Sequence, residues 1–103
     1  MSEMRERQIE RRIAAIKRQV PKLGDLRPGT LTQQYKYPAQ KQGAYYQLSY
    51  THQMKSRTDY VRSESVATIR REVANYEKLR DLVKEWVELG IEASKLRLRQ
   101  GKK

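Results

Sequence analysis

Hydrophobic residues near the start of the chain recur in alternating steps of three and four. The members of this series are Ile9, Ile13, Ile16 and Val20. This spacing places apolar side chains on one side of a helix, as in a coiled-coil seam. Pro21 follows, and proline ends helices because it lacks an N–H and clashes with the preceding turn. The pattern therefore predicts an N-terminal helix over residues 3–20.

The middle of the chain alternates with a period of two instead. In the clearest stretch, Tyr46 and Leu48 alternate with Tyr45 and Gln47. Successive side chains of a strand point to opposite faces, so this alternation indicates a strand with one buried face and one solvent face. We expect three antiparallel strands within residues 30–62, with Tyr46 and Leu48 facing the core.

The link between the second and third predicted strands is HQMKS, at residues 52–56. Two-residue hairpin turns favour Asn-Gly or Gly-containing pairs, because their central residues need positive φ angles. This link has neither, so we expect a wide hairpin. Three strands backed by a helix can be stable where two alone are marginal.

A second helix is predicted over residues 64–99, and its apolar stripe changes register. Val66, Ile69, Val73 and Tyr76 form the first part of the stripe. Two consecutive steps of three then shift the stripe around the helix. We expect the first part to face the sheet and the second to face another helix, either the N-terminal helix in antiparallel packing or a second copy. The partner seam consists of Ile9, Ile13, Ile16, Leu79, Leu82, Trp86 and Leu89.

These elements predict the α+β class for a single domain over residues 1–103. The order is an N-terminal helix, a three-stranded antiparallel sheet and a long C-terminal helix. That helix packs on the sheet and then on the N-terminal helix or on a dimer partner. A chain of 103 residues buries a modest core, so dimerisation through the helices would add stability.

The net charge of the chain indicates which class of molecule it binds. The chain has 23 basic and 12 acidic residues, which gives a net charge of +11. An excess this large favours a polyanion such as DNA or RNA. No run reaches the ~18 apolar residues of a membrane span, and the N-terminus lacks a signal-peptide core. We therefore expect a cytoplasmic protein with no membrane partner.

Catalytic and metal chemistry have little support. The chain has no cysteine, which excludes disulfides and thiolate metal sites. Its one histidine, His52, lies in the predicted hairpin link. Glycine-rich phosphate loops and metal-ligand spacings are absent from the sequence. We expect no enzymatic activity, no cofactor, no metal and no small-molecule substrate.

The predicted sheet carries the candidate binding chemistry. Six of the seven tyrosines lie in residues 28–62. The same range contains five basic residues and one acidic residue. Cations hold phosphates, amides and hydroxyls reach base edges, and aromatic rings stack on bases. Depending on register, Arg57 and Asp59 share the solvent side with Tyr45. The candidate nucleic-acid-binding residues are Lys36, Lys41, Tyr45, Gln47, Lys55, Arg57 and Arg62.

Several short motifs occur in order over residues 27–98. They comprise Pro28, Gly29, Thr30, Leu31, Tyr35, Gly43, Ala44, Tyr45, Tyr46, Leu48, Ser49, Asn75 and Tyr76. This pattern resembles an uncharacterised family of small bacterial and phage proteins often found with mobile elements. The resemblance implies DNA as the polyanion and a nucleoid-associated protein of a bacterial or phage-infected cell. Members of that family usually carry a cysteine cluster between the first two strands, and this chain has YPAQKQG there, so that metal loop does not carry over.

The leading hypothesis is thus a non-enzymatic DNA-binding protein of a mobile-element, phage or regulatory context. Two alternatives remain open at this stage. One is a protein–protein adaptor that acts through the helical leucine seam. The other is an RNA-binding protein that uses the same basic, tyrosine-rich sheet.

Overall fold

The computed structural model describes residues 2–101, and it confirms the α+β class. An N-terminal helix is followed by three strands and a long C-terminal helix. The helices and strands are α1 (Ser2–Gln19), β1 (Thr30–Tyr37), β2 (Gln42–His52), β3 (Lys55–Val61) and α2 (Val66–Arg99). Short 3₁₀ turns occupy Val20–Lys22, Pro38–Gln40 and Ser63–Ser65. Neither described helix contains a stretch that is both long and apolar enough to cross a bilayer.

The three strands form one antiparallel sheet in the order β1-β2-β3. Leu31 of β1 and Asp59 of β3 both pair with Leu48 of β2. Directly paired residues share a face of the sheet, so these three positions define what we call the inner face. Leu48 is 0% exposed, which makes it the centre of this face.

Contacts divide the chain into two compact units. One comprises residues 24–77, with the sheet and the first part of α2. In this unit Ile69 lines one cleft with Leu48 and Val61, and Val73 lines another with Leu31. Ile69 and Val73 of the predicted α2 stripe are therefore turned toward the inner face of the sheet.

Arg27, in the connector before β1, joins the sheet to α2 inside this unit. Its backbone N–H donates to the carbonyl oxygen of Glu72 at 3.1 Å. Its guanidinium pairs with Asp59 and lies 4.7 Å from the centre of the Tyr50 ring. One side chain thus neutralises an inner-face carboxylate and makes a cation–π contact with the neighbouring strand.

The second unit comprises α1 and the part of α2 from Lys78 onward. Ile9, Ile16 and Leu82 are buried, and Lys17 lies over the Trp86 ring. The other seam residues, Ile13, Leu79, Trp86 and Leu89, are half-buried. The predicted seam is therefore used within the chain in this structure.

Two ion pairs show that α1 and α2 run antiparallel in this unit. Arg5 binds both carboxylate oxygens of Glu92, at 2.5 and 2.8 Å. Arg12 binds those of Glu85 in the same way, at 2.6 and 2.8 Å. Arg12 lies seven residues after Arg5 along α1, and its partner Glu85 lies seven residues before Glu92 along α2. Both ion pairs therefore fit a single antiparallel alignment of the two helices.

The β2–β3 hairpin is tighter than the sequence predicts. His52 pairs directly with Lys55, which leaves a two-residue turn of Gln53 and Met54. Both residues have positive φ, at 51° and 64°. The expected wide hairpin is therefore wrong. Turns of this type match the right-handed twist of paired strands, and here the pairing prevails over the poor local fit of Gln and Met.

Replacing Gln53 by Asn and Met54 by Gly should stabilise the fold. Glycine adopts positive φ without a Cβ clash, and Asn tolerates it better than Gln. We expect the free energy of unfolding in urea to rise by about 1 kcal/mol. Met54→Ala is the control, since it removes the exposed side chain and keeps the strained backbone. Equal stability of the Asn-Gly and Ala variants would contradict this explanation.

The two ion pairs should make stability depend on acidity. Hydrogen bonds from Arg12 and Arg5 hold the pKa of Glu85 and of Glu92 below the usual value. A carboxylate with a lowered folded-state pKa stabilises the fold above its unfolded pKa, and the contribution is lost as pH falls through the folded value. We expect thermal stability to fall below about pH 5. The double variant Glu85→Gln, Glu92→Gln should show a smaller fall, and an unchanged pH profile would refute this role.

Candidate nucleic-acid interface

The face of the sheet opposite Leu48 is polar and largely open to solvent. We call it the outer face, and its residues follow from the strand register. They are Thr30, Thr32, Gln34, Lys36, Tyr45, Gln47, Ser49, Thr51, Ser56, Thr58 and Tyr60. Across its middle, Gln47 lies between Thr32 and Tyr60, and Ser49 lies between Thr30 and Thr58. Hydroxyl and amide groups therefore run across all three strands.

Two tyrosines form an aromatic platform on the outer face. The rings of Tyr45 and Tyr60 stack with 6.1 Å between centroids and 26° between planes. Tyr60 is 68% exposed, so this ring presents much of its surface to solvent. Their strand positions are diagonal neighbours, which aromatic side chains can bridge. A half-buried ring stacked beside an exposed one offers a flat surface for a base or a sugar.

Lys36 supplies a cation to the outer face near the β1–β2 turn. It lies across from Gly43, where an added Cβ would come within 2.8 Å of the Lys36 Cβ. Gly43 also has a φ of 68°, which L side chains rarely adopt. Glycine therefore permits the close strand pairing that positions Lys36. Its ammonium lies 5.9 Å from the ring centre of Tyr37.

The other predicted cations fall into two groups. Lys41 lies in the β1–β2 turn with a left-handed backbone, near the same end of the sheet as Lys36. Arg62 follows β3 on extended backbone and is exposed. Lys55 and Arg57 pair with His52 and Tyr50, which places them on the inner-face side at the hairpin end.

The structure therefore brings Lys36, Tyr45 and Gln47 together on one face and leaves Lys55 and Arg57 off it. The expectation that Arg57 and Asp59 share the side of Tyr45 is corrected by the register, since both pair with inner-face residues of β2. Nor does His52 join the outer face. It is exposed at the end of β2.

The charge of the outer face follows from the position of Asp59. It is the single carboxylate within the three strands, and it lies on the inner face, paired with Arg27. The strand residues of the outer face therefore include Lys36 and no acid. A surface of hydroxyls, amides, rings and a cation favours a polyanionic ligand over a cationic one.

Several outer-face residues are not among the binding candidates predicted from the sequence. Tyr60, Thr58 and Thr32 join Gln47 and Ser49 only through the register, which joins strands far apart in sequence. Their signal was the alternation of hydroxyl residues in the first and third strands. Arg27 was also overlooked, since it lies in a connector with no periodic pattern.

One protein family, described as a domain of unknown function (DUF6788), matches residues 6–71. The chain belongs to this family. The matched residues contain all of the outer face and most of α1, whereas most of α2 lies beyond them. No curated protein matches the chain, and no solved structure matches it either.

Residues 2–101 contain no cluster of three or more His, Asp or Glu side chains placed to hold a metal ion. The loop between β1 and β2 is a 3₁₀ turn over Pro38–Gln40 followed by Lys41. Backbone geometry and Gly43 therefore close this loop in the present chain.

Proposed function

We propose that this protein is a non-enzymatic DNA-binding protein that uses the outer face of its sheet. The observation that carries the proposal is the Tyr45–Tyr60 stack, in which Tyr60 is exposed, set among hydroxyl and amide groups on a face without a strand carboxylate. The net charge of +11 supports a polyanionic ligand.

Each kind of side chain has a separate part in this proposal. Lys36, Lys41 and Arg62 contact phosphates, which supplies affinity and salt dependence. Gln47 and Gln34 offer amide groups that can hydrogen-bond base edges. The Tyr45–Tyr60 pair packs against sugars or bases. Binding therefore combines sequence-independent attraction with a small number of directional contacts.

The width of the sheet limits how it meets duplex DNA. Three strands at ~4.8 Å spacing place the outer backbone centres about 10 Å apart, whereas the major groove, about 12 Å wide, admits an α-helix or a two-stranded ribbon. The whole face would therefore straddle a groove, and at most two of its strands would enter one. The preference for DNA over RNA, and for a mobile-element, phage or regulatory context near the nucleoid, rests on the sequence resemblance.

The adaptor alternative is weaker on physical grounds. Leu82 is buried inside the chain, and Trp86 is covered in part by Lys17. An adaptor would therefore need a surface other than the predicted seam. RNA binding uses the same face and is distinguished by the choice of ligand in the test below.

Loss of outer-face groups should weaken binding in two different ways. Lys36→Ala with Lys41→Ala removes two phosphate contacts, so the slope of log K against log salt should fall by about 2. Tyr60→Ala removes stacking and should cost about tenfold in affinity with little change in slope. Fluorescence anisotropy with labelled duplex DNA, single-stranded DNA and RNA at several salt concentrations measures both.

Charge-matched variants make this test specific to the outer face. Lys78→Ala with Lys95→Ala removes the same charge from exposed sites on α2, and Lys55→Ala with Arg57→Ala removes it from the inner-face side. Both should reduce affinity less than the Lys36 and Lys41 pair. Equal losses in all three would mean diffuse attraction without a defined face. No binding to duplex DNA at moderate salt would refute the proposal.

A further inference from the structure

We infer that a second copy of this chain docks, in antiparallel orientation, on an exposed apolar stripe of α2. The stripe consists of Val83, Val87, Ile91 and Leu98, which are 42%, 55%, 51% and 72% exposed. It is distinct from the predicted seam, whose residue Leu82 is buried. The inference goes beyond DNA binding and does not depend on it.

The stripe has the spacing of a helix–helix contact. Its residues step by four, four and seven, and Ser94 fills the gap in the last interval. At about 100° per residue, the four apolar side chains fall within about 80° of the helix circumference. A helix that packs on one partner needs one apolar face, so a second face left to solvent implies a second partner.

Gly90 lies beside the middle of this stripe, and this chain gives no reason for a glycine there. A Cβ added at Gly90 would meet no atom within 4 Å in the described structure. Glycine inside a helix costs about 1 kcal/mol relative to alanine. It does allow another backbone to approach closely. The position, midway between Val83 and Leu98, therefore suits the crossing point of two helices.

The charges that border the stripe identify the partner as another copy. Acidic residues border its first half, at Glu77, Asp81 and Glu88, and basic residues border its second half, at Lys95 and Arg99. By the helical repeat, these lie in a band about 60° wide next to the stripe. Two bases lie on this side of the acidic half, Lys84 in the band and Arg80 at the angle of the stripe itself. In an antiparallel pair the band of one helix faces the same band of the other, so Asp81 comes near Arg99 of the second copy. In a parallel pair the band faces the opposite flank of the partner helix and these acid–base pairs do not form.

The size of the stripe sets the strength of the dimer. Sixteen residues of helix span about 24 Å, which buries less area than the ~1,600 Å² of a standard interface. The dimer should therefore be reversible, with dissociation at tens to hundreds of micromolar. Each dimer would carry two outer faces.

Analytical ultracentrifugation without nucleic acid tests the dimer directly. The native chain, 12.2 kDa as a monomer, should rise toward twice that mass as its concentration increases to several hundred micromolar. Val87→Asp with Ile91→Asp should keep it monomeric with an unchanged circular dichroism spectrum. Met4→Asp is the control, because Met4 is also 68% exposed but lies on α1. It should dimerise like the native chain.

Single cysteines test the orientation, since the chain has none of its own. In an antiparallel pair centred near Gly90, Gly90→Cys meets its own copy and should form a disulfide-linked dimer on oxidation. Val83→Cys should not, because the two cysteines would lie about 22 Å apart along the helix. Cross-linking at both positions would overturn the antiparallel arrangement. A monomer at every concentration, or a dimer indifferent to the Val87 and Ile91 changes, would overturn the interface.

Discussion

Burial of Leu48 at the centre of β2 is the constraint on which the candidate site depends. Side chains of a strand alternate, so a shift of one residue would turn every inner position outward. With Leu48 fully buried, Tyr46 and Tyr50 share the inner side, and Tyr45, Gln47 and Ser49 share the outer side. Pairing then carries this choice to β1 and β3, which brings Tyr60 beside Tyr45. The outer face is thus a consequence of core packing.

The second consequence concerns charge. Asp59 pairs with Leu48 across the sheet and so faces inward, where Arg27 neutralises it. A carboxylate on the other face would oppose an anionic ligand. Arg27 also donates its backbone N–H to α2, so the residue that masks this acid also ties the connector to the helix. One residue therefore meets a structural requirement through its backbone and an electrostatic one through its side chain.

Local periodicity predicted much of this molecule. Steps of three and four predicted both helices and the seam that joins α1 to α2, and alternation in β2 predicted which of its residues face inward. The register of β3 could not be predicted from the sequence pattern, because it depends on pairing between strands. Arg57 consequently lies on the side opposite Tyr45. The turn at Gln53 and Met54 was missed because strand twist prevailed over turn propensity. No pattern marks Arg27, whose partners are distant in sequence.

Backbone amide chemical shifts measured by NMR during titration with a short duplex DNA test the central claim most directly. The chain is small enough for every amide of the sheet to be followed separately. The account predicts that the largest shifts occur at Tyr45, Gln47, Ser49, Thr58 and Tyr60, with Lys36 and Lys41 at the border of the affected surface. Shifts confined to α1 and α2, or spread evenly over all exposed lysines and arginines, would contradict it.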